Sequence, residues 1–119
     1  MEDKTTTMQE LIDFVVSFAD AREWRKAHTP KDLSIAISRE STELLELFLW
    51  MDEERSYLEI EKNREKIEHE MADILIYAMN FAKLAGIDIC AAIEKKLQYN
   101  EARYPVHKSR GRYNKWDRL

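Results

Sequence analysis

Two pairs of acids mark where this chain could do chemistry. One lies in Arg39-Glu40-Ser41-Thr42-Glu43-Leu44-Leu45-Glu46, the other in Glu70-Met71-Ala72-Asp73. In each pair the acids are three residues apart, which on an α-helix leaves them roughly 60° apart around the axis and one turn apart along it. Both carboxylates of a pair therefore leave the helix on nearly the same side. Leu33, Ala36, Ile37, Leu44 and Leu47 trace an inward stripe on the first helix, and Glu40 occupies that stripe where Leu or Ile would fit. A lone carboxylate there is costly to desolvate and requires a partner. Two such pairs on facing helices would gather four oxygen ligands and about four negative charges, an arrangement suited to a hard divalent cation, Mg²⁺ or Mn²⁺. Glu70, Asp73, Tyr77 and Asn80 continue as one polar row at three- and four-residue spacing, whereas Glu59, Glu61, Glu65 and Glu68 read as an ordinary solvated face.

The elements that must carry these acids are helices. Thr7-Met8-Gln9-Glu10 has the form of a capping box, followed by an amphipathic run with Leu11, Phe14, Val15 and Phe18 on its inner face. Thr29-Pro30 reads as an N-cap followed by proline at the first helical position, opening a helix from about Lys31 to about Met51. Asp52 to Arg55 is expected to connect, with Ser56-Tyr57-Leu58-Glu59 a second capping box opening one long helix that Gly86 ends. Asp88 caps a fourth helix, Pro105 stops it, and Val106 to Leu119 has no clear period. The expectation is an all-α antiparallel four-helix bundle over residues 1–105 and a flexible basic tail over 106–119. Apolar positions spread around more than half of the long helix, through Ile67, Met71, Ile74, Leu75, Ile76 and Met79, so a second subunit is expected on one side.

Composition bounds the rest. With 119 residues the chain makes one domain, and only two Gly and two Pro favour helix. The net charge of −4 conceals a tail of six Lys/Arg against one Asp beyond Ala102. The remaining body is strongly acidic, which argues against a nucleic-acid polymer as partner. The single cysteine, Cys90 between Ile89 and Ala91-Ala92, excludes an internal disulfide and is expected to be a small buried residue. A polar, acidic start and the absence of a long apolar run point away from a membrane and toward a cytoplasmic protein. A di-iron carboxylate bundle would use Glu-x-x-His twice, and no Glu here is followed by His at that spacing. All-oxygen ligation favours magnesium and phosphate chemistry.

The acid pairs also carry a resemblance. The sequence resembles the MazG-like, all-α nucleoside triphosphate pyrophosphohydrolases, particularly the small members that include the dCTP pyrophosphatases. Their signature is Glu-Glu-x-x-Glu followed, after a variable connection, by Glu-x-x-Asp. Glu40 and Glu43 match the second and third acids, Glu70 and Asp73 match the second half, and Arg39 replaces the first acid. The run from Glu43 to Trp50, the segment Asp73-Ile74-Leu75-Ile76-Tyr77, and Lys96-Leu97-Gln98-Tyr99-Asn100-Glu101-Ala102-Arg103-Tyr104-Pro105 are similar to further blocks of the family. Together with Lys108-Ser109-Arg110-Gly111, they extend the resemblance over roughly residues 8 to 119.

The resemblance implies hydrolysis of a (d)NTP between its α- and β-phosphates to (d)NMP and pyrophosphate, in house-cleaning of dCTP-like or non-canonical nucleotides; the apolar spread of the long helix predicts a homo-oligomer, a dimer or dimer of dimers. The resemblance also implies Mg²⁺ (or Mn²⁺) on Glu40, Glu43, Glu70 and Asp73, with Glu40 or Glu43 as the base; the sequence does not separate ligand from base. It places Lys96 on phosphate and Asn100 on sugar or base, and His28 at the pocket edge. Tyr77 shares the acid row, and Trp24 and Trp50 are candidates for a wall that stacks on the base, against the alternative of ordinary core aromatics. Arg103-Tyr104 can pack the helix end, and Glu46 can orient the ligands from behind. Competing readings are a phosphoribosyl-ATP pyrophosphohydrolase or dUTP hydrolase of the same superfamily, and a non-catalytic helical interaction module.

Overall fold

The first helix begins as its capping box dictates. Thr7 Oγ1 accepts from the Glu10 amide and Glu10 Oε2 accepts from the Thr7 amide, both at 3.1 Å, opening α1 (Met8–Ala21). Thr29 Oγ1 accepts from the Asp32 amide ahead of Pro30, opening α2 (Pro30–Glu46). There follow α3 (Glu53–Lys62), α4 (Arg64–Ala85), α5 (Ile89–Arg103) and α6 (Val106–Ser109), with short 3₁₀ turns at Trp24–Ala27 and Trp116–Arg118. The computed structural model describes all 119 residues and contains no strand. No single helix is long and apolar enough to cross a membrane. The fold is all-α as expected, with six helices rather than four, in two compact units, Met1–Gly86 and Ile87–Leu119.

In the first unit α4 is the central element, packed against α2, α1 and α3. The core consists of Val16 and Ala19 from α1, Leu33 and Ala36 from α2, and Met79 and Ala82 from α4. Alanine on each of the three helices permits close approach of their backbones, while Leu33, 1% exposed, fills the centre. Full burial of that side chain contributes roughly 2 kcal/mol. Gly86 ends α4 in the left-handed conformation (φ 68°), where a Cβ would be strained.

Four expectations change in this unit. On α1 the buried residues are Val16 and Ala19, whereas Phe14 and Phe18 are 63% and 52% exposed. The small Ala19 lets the helix approach α4 along a stripe rotated away from the two bulky rings. Next, α2 stops at Glu46 instead of reaching Met51. The run Leu47-Phe48-Leu49-Trp50-Met51 leaves the helix with Leu49 and Trp50 exposed. The chain tightens there into three-residue turns, and Trp50 takes φ 69°.

The third change is the start of α3. Its cap is Asp52, whose Oδ1 accepts from the Arg55 amide at 2.8 Å, while Ser56 Oγ donates to the Glu53 carbonyl from inside the helix. The expected long helix is thereby two helices meeting at Asn63 (φ −126°, ψ 33°). Finally, Glu59 is buried rather than part of a solvated face, whereas Glu61, Glu65 and Glu68 are exposed; Arg64 pairs with Glu61 and lies 3.7 Å from Glu68.

In the second unit Asp88 Oδ1 accepts from the Ala91 amide at 2.9 Å and caps α5, as expected. No residue of α5 is buried, so Cys90 is exposed and not the packed small residue its neighbours suggested. Residues after Pro105 are structured: the Arg103 guanidinium lies 4.9 Å from the Tyr99 ring centroid and 4.1 Å from that of Trp116. This cation–π stack ties the basic segment to the end of α5, the packing role expected for Arg103.

The capping assignment is testable by denaturant unfolding. Asp52→Ala is expected to destabilise the protein by ~1 kcal/mol, and Ser56→Ala by less than about half of that; the reverse order would restore Ser56 as the cap.

Candidate metal centre and adjoining cavity

The two acid pairs meet where α2 packs on α4. Glu43 and Asp73 both act on Glu40 and on Glu70, so all four acids belong to one electrostatic neighbourhood between α2 and α4. Carboxylate oxygens of Glu40, Glu43 and Glu70 lie within 4.8 Å of one another, with Asp73 beside them. Glu40 is only 7% exposed, in the position where the apolar stripe called for Leu or Ile. Arg39 Nη2 stands 3.5 Å from Glu40 Oε1, but the guanidinium is mostly exposed and offsets little of the cluster's charge.

Burial raises the Glu40 carboxyl above the usual range, and hydrogen bonding to Glu43 and repulsion from Glu43 and Asp73 add to the effect. Glu70 is raised by desolvation first, then by Glu43 and Asp73. Its Oε2 is buried with no hydrogen-bond partner. An orphaned carboxylate oxygen inside a cluster of acids that repel one another is the condition a divalent cation relieves. Carboxylates as the only donors suit a hard ion such as Mg²⁺ or Mn²⁺. The residues present fit a metal held by Glu40, Glu43 and Glu70, with Asp73, the fourth acid expected from the sequence, close enough to act on them. Glu46, at the end of α2, is exposed.

Asp73 has a second role, since it also lines a cavity of about 310 Å³ between α1, the 3₁₀ turn and α4. Phe14, Phe18 and Trp24 form one side; His28, Ile76, Tyr77 and Asn80 complete the wall with Val15 and Ala19. Glu23, left-handed at φ 54°, turns the chain after α1, and the Arg25–Asp20 ion pair ties the turn back to the helix. Trp24 then meets Phe18 edge-on at 5.7 Å between centroids and 75° between planes. The Arg22 guanidinium covers the Phe18 ring at 3.6 Å. On the other side His28 packs edge-on against Tyr77 at 6.3 Å, and its Nδ1 is buried without a partner. Asn80 is 6% exposed and its Nδ2 donates to the Ile76 carbonyl at 2.9 Å. The space is sized and lined for a small aromatic group beside the acid cluster.

Of the site residues expected from the sequence, the structure thus brings together Glu40, Glu43 and Glu70, sets Asp73 near enough to act on Glu40 and Glu70, and joins to Asp73 the cavity residues Trp24, His28 and Tyr77. Trp50, 93% exposed, lines no part of this cavity. Lys96 and Asn100 lie on α5 in the second unit, where the Lys96 ammonium sits 4.7 Å from the Tyr99 ring centroid. Sequence reasoning missed Phe14 and Phe18, which it assigned to the core. The signal was their bulk beside the alternative stripe of Val16 and Ala19.

Residues 35–119 match the model of the MazG-like family. The chain belongs to that family. Among MazG-like relatives, dCTP pyrophosphatase 1 of Bos taurus is 36% identical over 107 residues, which are 88% of this chain and 63% of that protein. The Homo sapiens dCTP pyrophosphatase 1 is 30% identical over 115 residues, 95% of this chain and 68% of that protein. The chain therefore spans about two thirds of the length of these relatives, slightly less for the first. A solved pyrophosphatase from Archaeoglobus fulgidus superposes with a TM-score of 0.81 at 37% identity, covering 88% of this chain and 98% of that one. The all-α MazG-like fold expected from the sequence is borne out by this match.

The raised carboxyls make a pH prediction for metal-free protein. Above the raised folded-state values Glu40 and Glu70 are charged, and the cost of burying those charges, with repulsion from Glu43 and Asp73, weakens the fold. As pH falls through those values toward the ordinary value near 4.5, the folded state takes up protons before the unfolded one does and the penalty is relieved. In EDTA, Glu40→Gln is expected to melt above the parent protein at pH 8, with the difference shrinking toward pH 5. A difference that is constant with pH would remove Glu40 from the coupled cluster.

Proposed function

We propose that this chain is a Mg²⁺-dependent nucleoside triphosphate pyrophosphohydrolase that splits a (d)NTP between its α- and β-phosphates, yielding (d)NMP and pyrophosphate. Its expected substrates are dCTP-like or non-canonical nucleotides, cleared from the pool. The observation that carries this reading is Asp73, which belongs at once to the acid cluster and to the wall of the aromatic cavity. A triphosphate at the acids and a base in the cavity would be one ligand. The names of the dCTP pyrophosphatase relatives and of the archaeal pyrophosphatase support the same chemistry.

In this reading Glu40, Glu43, Glu70 and Asp73 hold the metal. Mg²⁺ bound there would supply charge neutralisation for the triphosphate and Lewis-acid activation of water. Glu40 or Glu43 would take a proton from the attacking water. Phe18, Trp24 and Tyr77 exclude water from the base and give it faces to stack on. In the second unit, Lys96 and Asn100 are assigned to nucleotide binding by resemblance to the family.

The proposal includes a homo-oligomer, a dimer or a dimer of dimers. Leu58 on α3 and Leu75 on α4 are 68% and 48% exposed, and Trp50 is more exposed still, an unusual amount of large apolar surface for so few core residues. Light scattering is expected to give a multiple of the 14.2 kDa chain mass. A single-chain mass at working concentration would discard the oligomer.

A pyrophosphate-release assay across the standard and several modified dNTPs tests the activity. Release with Mg²⁺, none with EDTA, and a fall of ~100-fold or more for Glu40→Gln or Glu43→Gln in folded protein are expected. Full Mg²⁺-dependent turnover by Glu40→Gln would sink the site assignment, and no release from any triphosphate would sink the reaction.

A further inference from the structure

Asn80 is an uncommon residue to find 6% exposed on a helix, in a wall otherwise made largely of aromatic and aliphatic groups. Its amide is locked. The Ile76 carbonyl can only accept, so the side chain must give it an N–H, as it does at 2.9 Å. Turning the amide over would set two oxygens against each other in a buried place. The Asn80 Oδ1 is therefore directed away from Ile76, and no donor of the protein is bonded to it. The cavity also contains the unpartnered Nδ1 of His28, so its polar capacity is available to a ligand.

We propose that Asn80 is a specificity-determining residue, its amide fixed by Ile76 so that Oδ1 accepts a hydrogen bond from the exocyclic amino group of a cytosine-type base. This rests on the reading of the site as a nucleotide pyrophosphohydrolase. A freely turning asparagine would read an amino or a keto edge equally well, by presenting N–H to one and C=O to the other. With Ile76 holding the amide, a 4-keto pyrimidine in the same pose places its oxygen against Oδ1. The rejected base then leaves a buried acceptor unpaired and adds a repulsion, which discriminates far more strongly than a missing methyl group. The other wall residues add stacking, which does not distinguish the two bases.

Two measurements test this. The first is kcat/KM for dCTP against dUTP, in the parent protein and in Asn80→Ala and Asn80→Ser. The parent is expected to prefer dCTP by ~10-fold or more, and Asn80→Ala to lose most of that preference chiefly by losing dCTP turnover. Asn80→Ser, which keeps an oxygen but not the locked amide, is expected to fall between. A residue that merely braces α4 would lower both substrates in proportion, and that outcome, or equal use of dCTP and dUTP by the parent, overturns the proposal. The second is calorimetric binding of dCMP against dUMP, which requires no turnover. Preference for dCMP that is lost in Asn80→Ala supports the assignment even if no triphosphate is hydrolysed, a result that would overturn the enzymatic reading alone. Equal binding of the two monophosphates by the parent overturns the assignment while leaving hydrolysis untouched.

Discussion

Four carboxylates brought into one neighbourhood by α2 and α4 are the constraint around which the first unit is organised. Like charges at this spacing oppose the very contact that assembles them. The contact nevertheless forms because Ala36 and Leu33, one and two turns before Glu40, are buried on α2, which packs on α4. Stability and function are thus drawn from neighbouring turns of the same helices, the apolar turn offsetting the cost of the acidic one. A cation bound there would reverse the sign of the acidic term and so would couple its occupancy to the integrity of the fold.

The aromatic cavity depends on the same arrangement from its other end. Because α1 approaches α4 through Val16 and Ala19, its bulky rings at Phe14 and Phe18 are left to one side and line a space instead of filling it. The left-handed Glu23 then brings Trp24 back against Phe18. Asp73 and Tyr77, one turn apart on α4, carry the wall of this space up to the acids. A polar row with a four-residue step inside an apolar helix is therefore what joins the two halves of the site.

Much of this was legible in the residues. The i, i+3 acids and the placement of Glu40 in an apolar stripe pointed to a shared charge site before any fold was known, and the caps at Thr7, Thr29 and Asp88 and the end at Gly86 lie where local chemistry puts them. Local chemistry also misled. Ser56-x-x-Glu59 has the form of a capping box, yet Asp52 four residues earlier supplies the stronger acceptor and Glu59 is needed on the buried face. Phe14 and Phe18 have the spacing of core residues, and only the tertiary choice of Ala19 as the contact sets them aside. Cys90 shows the same limit, since apolar neighbours do not bury a residue on a helix with no buried face. Patterns along one helix report which residues share a side; which side is covered is settled by the neighbours.

Ala36 lies one helical turn before Glu40, with Ala19 and Ala82 on the helices around it. Small side chains at Ala36 and Ala82 allow α2 and α4 to pack closely, and that closeness fixes the span between the carboxylates of the two helices. A bulkier side chain at Ala36 would wedge α2 from α4 and widen the acid cluster, so that any cation held there would have to be larger, without altering a single acid.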